Sequence, residues 1–204
     1  MLCPAIHAQD EVLDPAFAEE ILRYALDDEA AFEPSRVGDA TYDATIRSSL
    51  IRRDGLGRLR PRFEAAMSDA LSQVCVGVGV EPFVPDRLEI ELVAHADGGF
   101  FGRHRDTFVG SDKGLSGFRR VVSGVVYLHR MPKPFEGGEI DFYAFDTDAV
   151  CRTVEPSHNR LVAFPAFAEH QVRPVWRLAP EFAASRFSVN CWFCRKAGDE
   201  SGRS

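Results

Sequence analysis

His104-Arg105-Asp106 sets an imidazole and a carboxylate two residues apart. In an extended strand, side chains i and i+2 leave on the same face, so both can reach a single cation. A later apolar run, Phe164 to Val172, carries a second imidazole at His170. Two histidines and one carboxylate on one side of a metal leave its other positions open to exchangeable ligands, a donor set suited to iron(II). A lone His-x-Asp would mean little, because six histidines and sixteen aspartates in 204 residues make such a pair ordinary. The weight comes from His170 and from Arg186-Phe187-Ser188, sixteen residues further on. There a guanidinium fork and a hydroxyl share one face, which suits the charge-assisted clamping of a dicarboxylate. An arginine buried at that place needs such a partner.

These residues have to be positioned by a scaffold, and the periodicity of the chain indicates which one. Asp14-Pro15 reads as an N-cap followed by proline in the first turn, with Phe17, Ile21, Tyr24 and Ala25 on one helical face and an end near Asp28 to Phe32. A second helix runs from Leu56 or Leu59 through Phe63, Ala66, Met67 and Ala70 toward Val74, with Pro61 in its first turn. Thr41 to Ile51 between them reads as extended. From Val80 onward the pattern alternates, with strands expected at Arg87–His95, Gly102–Asp106, Arg119–His129, Gly138–Phe142, Val150–Val154, Arg160–Phe164, His170–Val175 and Ser185–Phe193. Gly98-Gly99 and Gly137-Gly138 are turn signals that open strands. Eight short strands punctuated by Gly, Pro and Asp indicate a sandwich or barrel. The fold class is therefore mainly β with flanking helices (α+β).

Composition narrows the function. Apolar residues at 45% suffice for a core, and 204 residues suit one domain: residues 1–80 a helical buttress with a first strand, 86–195 the β core, 197–204 a frayed polar tail. A net charge of -7 argues against nucleic acid as partner, since backbone binding rests on clustered positive charge. No basic leader and no apolar run of membrane length is present, which gives the expectation of a cytoplasmic protein without a membrane partner. Cys3, Cys75, Cys151, Cys191 and Cys194 are odd in number and irregular in spacing, unlike a secreted disulfide framework. Cys191-Trp-Phe-Cys194 reads as two packed thiols, with zinc or redox chemistry the minor alternative.

Taken together, the motifs resemble the prolyl 4-hydroxylase-like branch of the iron(II)- and 2-oxoglutarate-dependent oxygenases. The likeness covers Asp86 to Arg195. It rests on the Gly-rich approach to His104-Arg105-Asp106, Ser123-Gly-Val-Val-Tyr-Leu128, Glu136-Gly-Gly-Glu-Ile140, Arg160-Leu-Val-Ala-Phe-Pro165, His170-Gln-Val-Arg-Pro174 and Arg186-Phe-Ser-Val-Asn-Cys-Trp192. It implies a double-stranded β-helix (jelly-roll) core buttressed by the N-terminal helices. It implies that His104, Asp106 and His170 bind Fe(II), and that Arg186, with Tyr127 and Ser188, holds the distal carboxylate of the co-substrate 2-oxoglutarate. Dioxygen takes the remaining position, and ascorbate is a candidate auxiliary reductant. Ile140, Val172 and Trp192 match pocket walls of relatives, and Asn190 falls where a polar residue can face the metal. Where many relatives carry a tyrosine about nine residues before the first iron histidine, this chain has Ala94 and His95, and His95 is a candidate substitute donor. Halogenating relatives replace the carboxylate by a small residue, so Asp106 points to hydroxylation.

The resulting expectation is hydroxylation of an unactivated C–H bond in a small molecule, a free amino acid or a short peptide. The alternatives are a protein prolyl-type hydroxylase or oxygen sensor, and a cupin-like module that binds metal or ligand without turnover. Substrate choice is expected to lie in Thr107–Phe118, Tyr143–Val150 and Val175–Ala184. Arg103, Arg105, Arg119 and Arg120 form either a solvated face or an attractor for a carboxylate.

Overall fold

The structure is a computed structural model of the chain and describes residues 1–35, 45–107 and 117–196. Strand β1 (His7–Gln9) precedes helix α1 (Pro15–Leu26). Strands β2 (Phe32–Pro34), β3 (Arg47–Ser48) and β4 (Leu50–Arg52) lead to helix α2 (Arg60–Gly77). Then come β5 (Arg87–His95), β6 (Phe100–His104), β7 (Phe118–Leu128), β8 (Phe135–Gly137), β9 (Ile140–Tyr143), β10 (Val150–Val154), β11 (Leu161–Pro165), β12 (His170–Val172), β13 (Val175–Arg177) and β14 (Arg186–Lys196).

Helix α1 starts where the sequence calls for it: the Asp14 carboxylate accepts a hydrogen bond from the Phe17 amide at 3.1 Å, and Pro15 occupies the first turn. Its face of Phe17, Ala18, Ile21, Leu22 and Ala25 is buried, as is the Phe63, Met67, Leu71 and Val74 face of α2. Both faces pack on one side of a seven-stranded sheet of order β1-β11-β7-β14-β5-β4-β2. A five-stranded sheet, β10-β9-β12-β6-β3, lies against its other side, and β13 and β8 form a separate two-stranded ribbon. This is the double-stranded β-helix with its helical buttress.

Period-two alternation decides what each sheet face carries. On β14, Phe187, Val189, Cys191 and Phe193 join the helix-facing cluster with Leu92 and Ala94 of β5 and Val122, Val126 and Leu128 of β7. Burying each such aromatic or branched side chain is worth about 1.5 to 3 kcal/mol, so the helices fix the orientation of the sheet. The intervening residues, Arg186, Ser188, Asn190 and Trp192, therefore turn into the barrel, and all four line its cavity. Register puts His95 opposite Arg186, Glu91 opposite Asn190, and Tyr127 opposite Ser188, so those side chains enter the barrel too.

Several boundaries differ from the sequence expectation. Asp106 falls two residues past the end of β6 rather than within it. The run His170–Val175 divides between β12 and β13, because Pro174 cannot donate to a ladder. Strands β1, β2 and β8 have three residues each, too few for alternation to register. Residues 41–44 of the expected extended stretch, most of Thr107–Phe118 and the tail 197–204 lie outside the described residues. Cys3 is paired with Cys151 as a disulfide, with Cα atoms 5.9 Å apart, a pairing the cysteine spacing does not suggest. Pairing across 148 residues leaves no mark in the spacing. Cys75, Cys191 and Cys194 are free and buried. Among the described residues, no helix is long and apolar enough to cross a membrane.

Candidate active site

His104 ends β6, and antiparallel pairing with β12 sets His170 directly opposite it. Opposed residues share a sheet face at short Cβ separation, so the two imidazoles meet across the ladder, with ring centroids 4.2 Å apart. Asp106 is drawn to the same point by three contacts. Its amide donates to the Ala166 carbonyl at 3.0 Å, Ser123 Oγ donates to its Oδ2 at 2.6 Å, and Trp192 adds a further hydrogen bond. Asp106 Oδ1 lies 3.7 Å from His104 Nε2, and its Oδ2 lies 4.0 Å from His170 Nε2. One donor atom from each of the three residues fits within 4.8 Å of the others. Among the described residues, this is the group of His, Cys, Asp and Glu side chains that converges as a metal site.

The donor chemistry fits a divalent ion. Each imidazole Nδ1 faces a backbone carbonyl two residues earlier, Gly102 O at 2.7 Å for His104 and Ala168 O at 3.0 Å for His170. A carbonyl only accepts, so both Nδ1 atoms carry the proton and both Nε2 lone pairs point to the centre. Burial, reinforced by His170, pushes the His104 imidazole down to about 3, so it is neutral at physiological pH. Burial acts to raise the Asp106 carboxyl. The two imidazoles and the hydrogen bonds from Ser123 and Trp192 outweigh it and hold Asp106 below the ordinary carboxylate value. The Phe101 ring stacks on His104 at 3.5 Å, and Phe164 lies 4.5 Å from His170, restricting both rings.

Deeper along the inner face of β14, Arg186 is almost wholly buried, and no carboxylate of the described residues lies within ion-pair range of it. Its Nη1 donates to His95 Nδ1 at 3.1 Å, and its guanidinium sits 4.6 Å from the Tyr127 ring. Arg186 Nε, the Tyr127 hydroxyl and His95 Nε2 are buried without hydrogen-bond partners. An unpartnered Nε on the buried cation, with an unpartnered Tyr127 hydroxyl beside it, is chemically complementary to a carboxylate. Burial raises Tyr127 above its ordinary value, so the hydroxyl keeps its proton. Burial, with Arg186 and Arg47 nearby, holds His95 well below its ordinary value. That ring is neutral, accepts through Nδ1 and carries its proton on Nε2. Gly138 permits the arrangement: at φ +73° it occupies the left-handed region, and a Cβ there would meet Arg186 Cδ at 2.7 Å.

The metal site and Arg186 line one cavity, together with His95, Ile140, Val172, Ser188, Asn190 and Trp192. Tyr127 lies beneath Arg186, and the Ser188 hydroxyl donates to Asn190 Oδ1 at 3.0 Å. The sequence reading missed Arg47, which lines the same cavity and stacks 4.8 Å above the Phe101 ring. Its strand has two residues, and only the pairing of β3 with β6 brings it to the site. The exposed arginines are engaged elsewhere. Arg103 and Arg105 pair with Glu169, and Arg120 pairs with Glu89.

Comparison with known proteins agrees with this geometry. The sequence profile of the 2OG-Fe(II) oxygenase superfamily matches residues 90–194. This chain belongs to that family, whose members use Fe(II) and 2-oxoglutarate. An uncharacterised PKHD-type hydroxylase from Synechocystis sp. is 32% identical over 145 residues, covering 68% of this chain and 45% of its own length. The chain thus spans under half of that relative. A prolyl-4-hydroxylase from Pseudomonas putida superposes with TM-score 0.71 at 24% identity, over 95% of this chain and 94% of its own. A Trichoplax adhaerens prolyl hydroxylase, solved in complex with a peptide fragment of hypoxia-inducible factor, gives TM-score 0.69 at 18% identity, over 93% and 83%. Both likenesses are of fold.

Proposed function

We propose that the chain is an Fe(II)- and 2-oxoglutarate-dependent dioxygenase that hydroxylates an unactivated C–H bond of a small molecule, a free amino acid or a short peptide. The observation that carries this reading is the pairing of two features in one cavity: three converging metal donors, and a buried arginine with no carboxylate partner among the described residues. His104, Asp106 and His170 would hold the iron. With 2-oxoglutarate bound, that centre supplies oxidation of a C–H bond by dioxygen, coupled to decarboxylation of the keto acid to succinate.

The chain's own residues orient and shield. Arg186 takes the distal carboxylate, Tyr127 Oη donates to it, His95 Nδ1 holds the guanidinium in place, and the Nδ1 bonds of the iron histidines fix their tautomers. Ile140, Phe164 and Val172 exclude water from the centre, while Asn190 and Trp192 face the side left for substrate. The whole chain is proposed to act as one oxygenase domain. The test is aerobic consumption of 2-oxoglutarate with formation of succinate by the iron-loaded protein, screened against small-molecule and peptide panels by gain of one oxygen atom. Turnover lost in His104→Ala supports the reading; a protein that binds iron and 2-oxoglutarate but never forms succinate refutes it in favour of a binding module.

A further inference from the structure

The cavity holds a second buried charged group that the iron and co-substrate reading leaves unused. Arg47 is 9% exposed and lines the cavity beside Asp106. Its position is fixed from two directions: Nε donates to Ser49 Oγ at 2.7 Å, Ser49 Oγ donates to Ser35 Oγ at 3.0 Å, and the guanidinium stacks on Phe101, which itself stacks on His104. Arg47 Nη2 stands 3.8 Å from Glu91 Oε2, and that buried oxygen has no hydrogen-bond partner. Glu91 is opposite Asn190 in register, so its carboxylate shares the inner face with the Asn190 amide. Burial pulls Arg47 down and Glu91 up, which marks both groups as short of compensation.

A neighbouring pair shows what a structural bridge looks like in this fold. Arg120 meets Glu89 Oε2 through both Nε and Nη2 at 2.8 Å, with the guanidinium stacked on Trp192 at 3.9 Å. Arg47 and Glu91, one row deeper, are at ion-pair but not hydrogen-bond distance. A buried pair left in this way adds little to stability, since apolar residues of similar volume would serve as well. It is, however, complementary to a zwitterion.

Building on the oxygenase reading above, we infer that Arg47 and Glu91, with Asn190, form the recognition site for the α-carboxylate and α-ammonium of a free α-amino acid substrate. Arg47 takes the carboxylate through its guanidinium, Glu91 takes the ammonium, and the amino-acid side chain is directed toward the metal donors. A residue inside a polypeptide offers neither charge, so the site selects against internal protein positions.

The test is anaerobic titration calorimetry of wild-type protein loaded with iron(II) and 2-oxoglutarate. The titrants are the twenty free L-amino acids and their N-acetyl amide derivatives. At least one free amino acid is expected to bind, with its blocked derivative weaker by about 30-fold or more. Arg47→Gln and Glu91→Gln are expected to weaken that amino acid by a similar factor while leaving 2-oxoglutarate binding intact. A loaded wild type that binds no free amino acid, or binds the blocked form equally well, overturns the inference, as does unaltered binding by a folded Arg47→Gln. If a variant does not fold, the wild-type comparison of free and blocked titrants still decides. A wild type that takes up neither iron nor 2-oxoglutarate overturns the oxygenase reading itself, and this inference with it.

Discussion

Replacing Arg186 by methionine separates the co-substrate role of this residue from a structural one, because the two predict opposite signs. The guanidinium is buried, with no carboxylate of the described residues in ion-pair range and an unpartnered Nε. Leaving such a donor unsatisfied costs about 1 to 3 kcal/mol, and exchanging buried charge for an apolar residue of similar length is commonly neutral or stabilising. Arg186→Met is therefore expected to unfold in urea at the wild-type midpoint or above it. Co-substrate binding behaves oppositely. Two charge-assisted hydrogen bonds at about 1.5 to 2 kcal/mol each sum to about 3 to 4 kcal/mol, or roughly 100- to 1000-fold in the dissociation constant of 2-oxoglutarate. Calorimetry with Mn(II) as a redox-inert metal measures that constant directly. Unfolding supplies a second reading: 2-oxoglutarate at a hundred times its dissociation constant should stabilise wild type by about 2.7 kcal/mol and leave the variant unchanged. A variant that loses more than about 3 kcal/mol of stability while binding 2-oxoglutarate normally would refute the clamp.

Gly138→Ala should weaken 2-oxoglutarate without touching the metal donors, because its Cβ would displace Arg186 Cδ from 2.7 Å and strain a backbone at φ +73°; iron uptake equal to wild type with a raised KM for 2-oxoglutarate checks this. His95 sets a pH dependence. Its pKa is depressed on folding, so below the unfolded value of 6.5 the unfolded chain takes up a proton that the folded chain refuses, and stability falls as pH falls through that window. The slope contributed is at most about 1.4 kcal/mol per pH unit, and His95→Gln should flatten the profile by that share in urea titrations from pH 7 to 5. Burial pushes the Cys191 thiol up to about 12 and Cys194 up to about 11, so neither should alkylate with iodoacetamide at pH 8 until the chain is unfolded. Rapid labelling of the folded protein, read by mass spectrometry, would contradict that packing.

Much of the site is legible in the sequence because it lies on long strands. On β14, alternation puts Arg186 and Ser188 on one face, the family resemblance adds Asn190 and Trp192, and all four line the barrel interior. His104 and Asp106 converge although Asp106 lies beyond the strand end, since the Asp106 and Thr107 amides are both tied to the Ala166 carbonyl. What escapes reading depends on contacts distant along the chain. Arg47 sits on a two-residue strand with no period to reveal it, and it becomes a cavity residue only through β6. The direct opposition of His104 and His170 depends on strand register, which composition does not specify. That Arg186 has no carboxylate partner among the described residues is visible only in three dimensions. The same holds for the Cys3–Cys151 pair, and for the division of one apolar run between β12 and β13.

The central claim is that three side chains hold one metal while Arg186 holds the far end of the keto acid. A crystal structure of the protein with Mn(II) and 2-oxoglutarate, grown without oxygen, tests it most directly. The account predicts one ion bound by His104 Nε2, Asp106 and His170 Nε2, and a 2-oxoglutarate whose distal carboxylate meets Arg186 and Tyr127 Oη. Metal bound elsewhere, or a keto acid with its distal carboxylate away from Arg186, would contradict it.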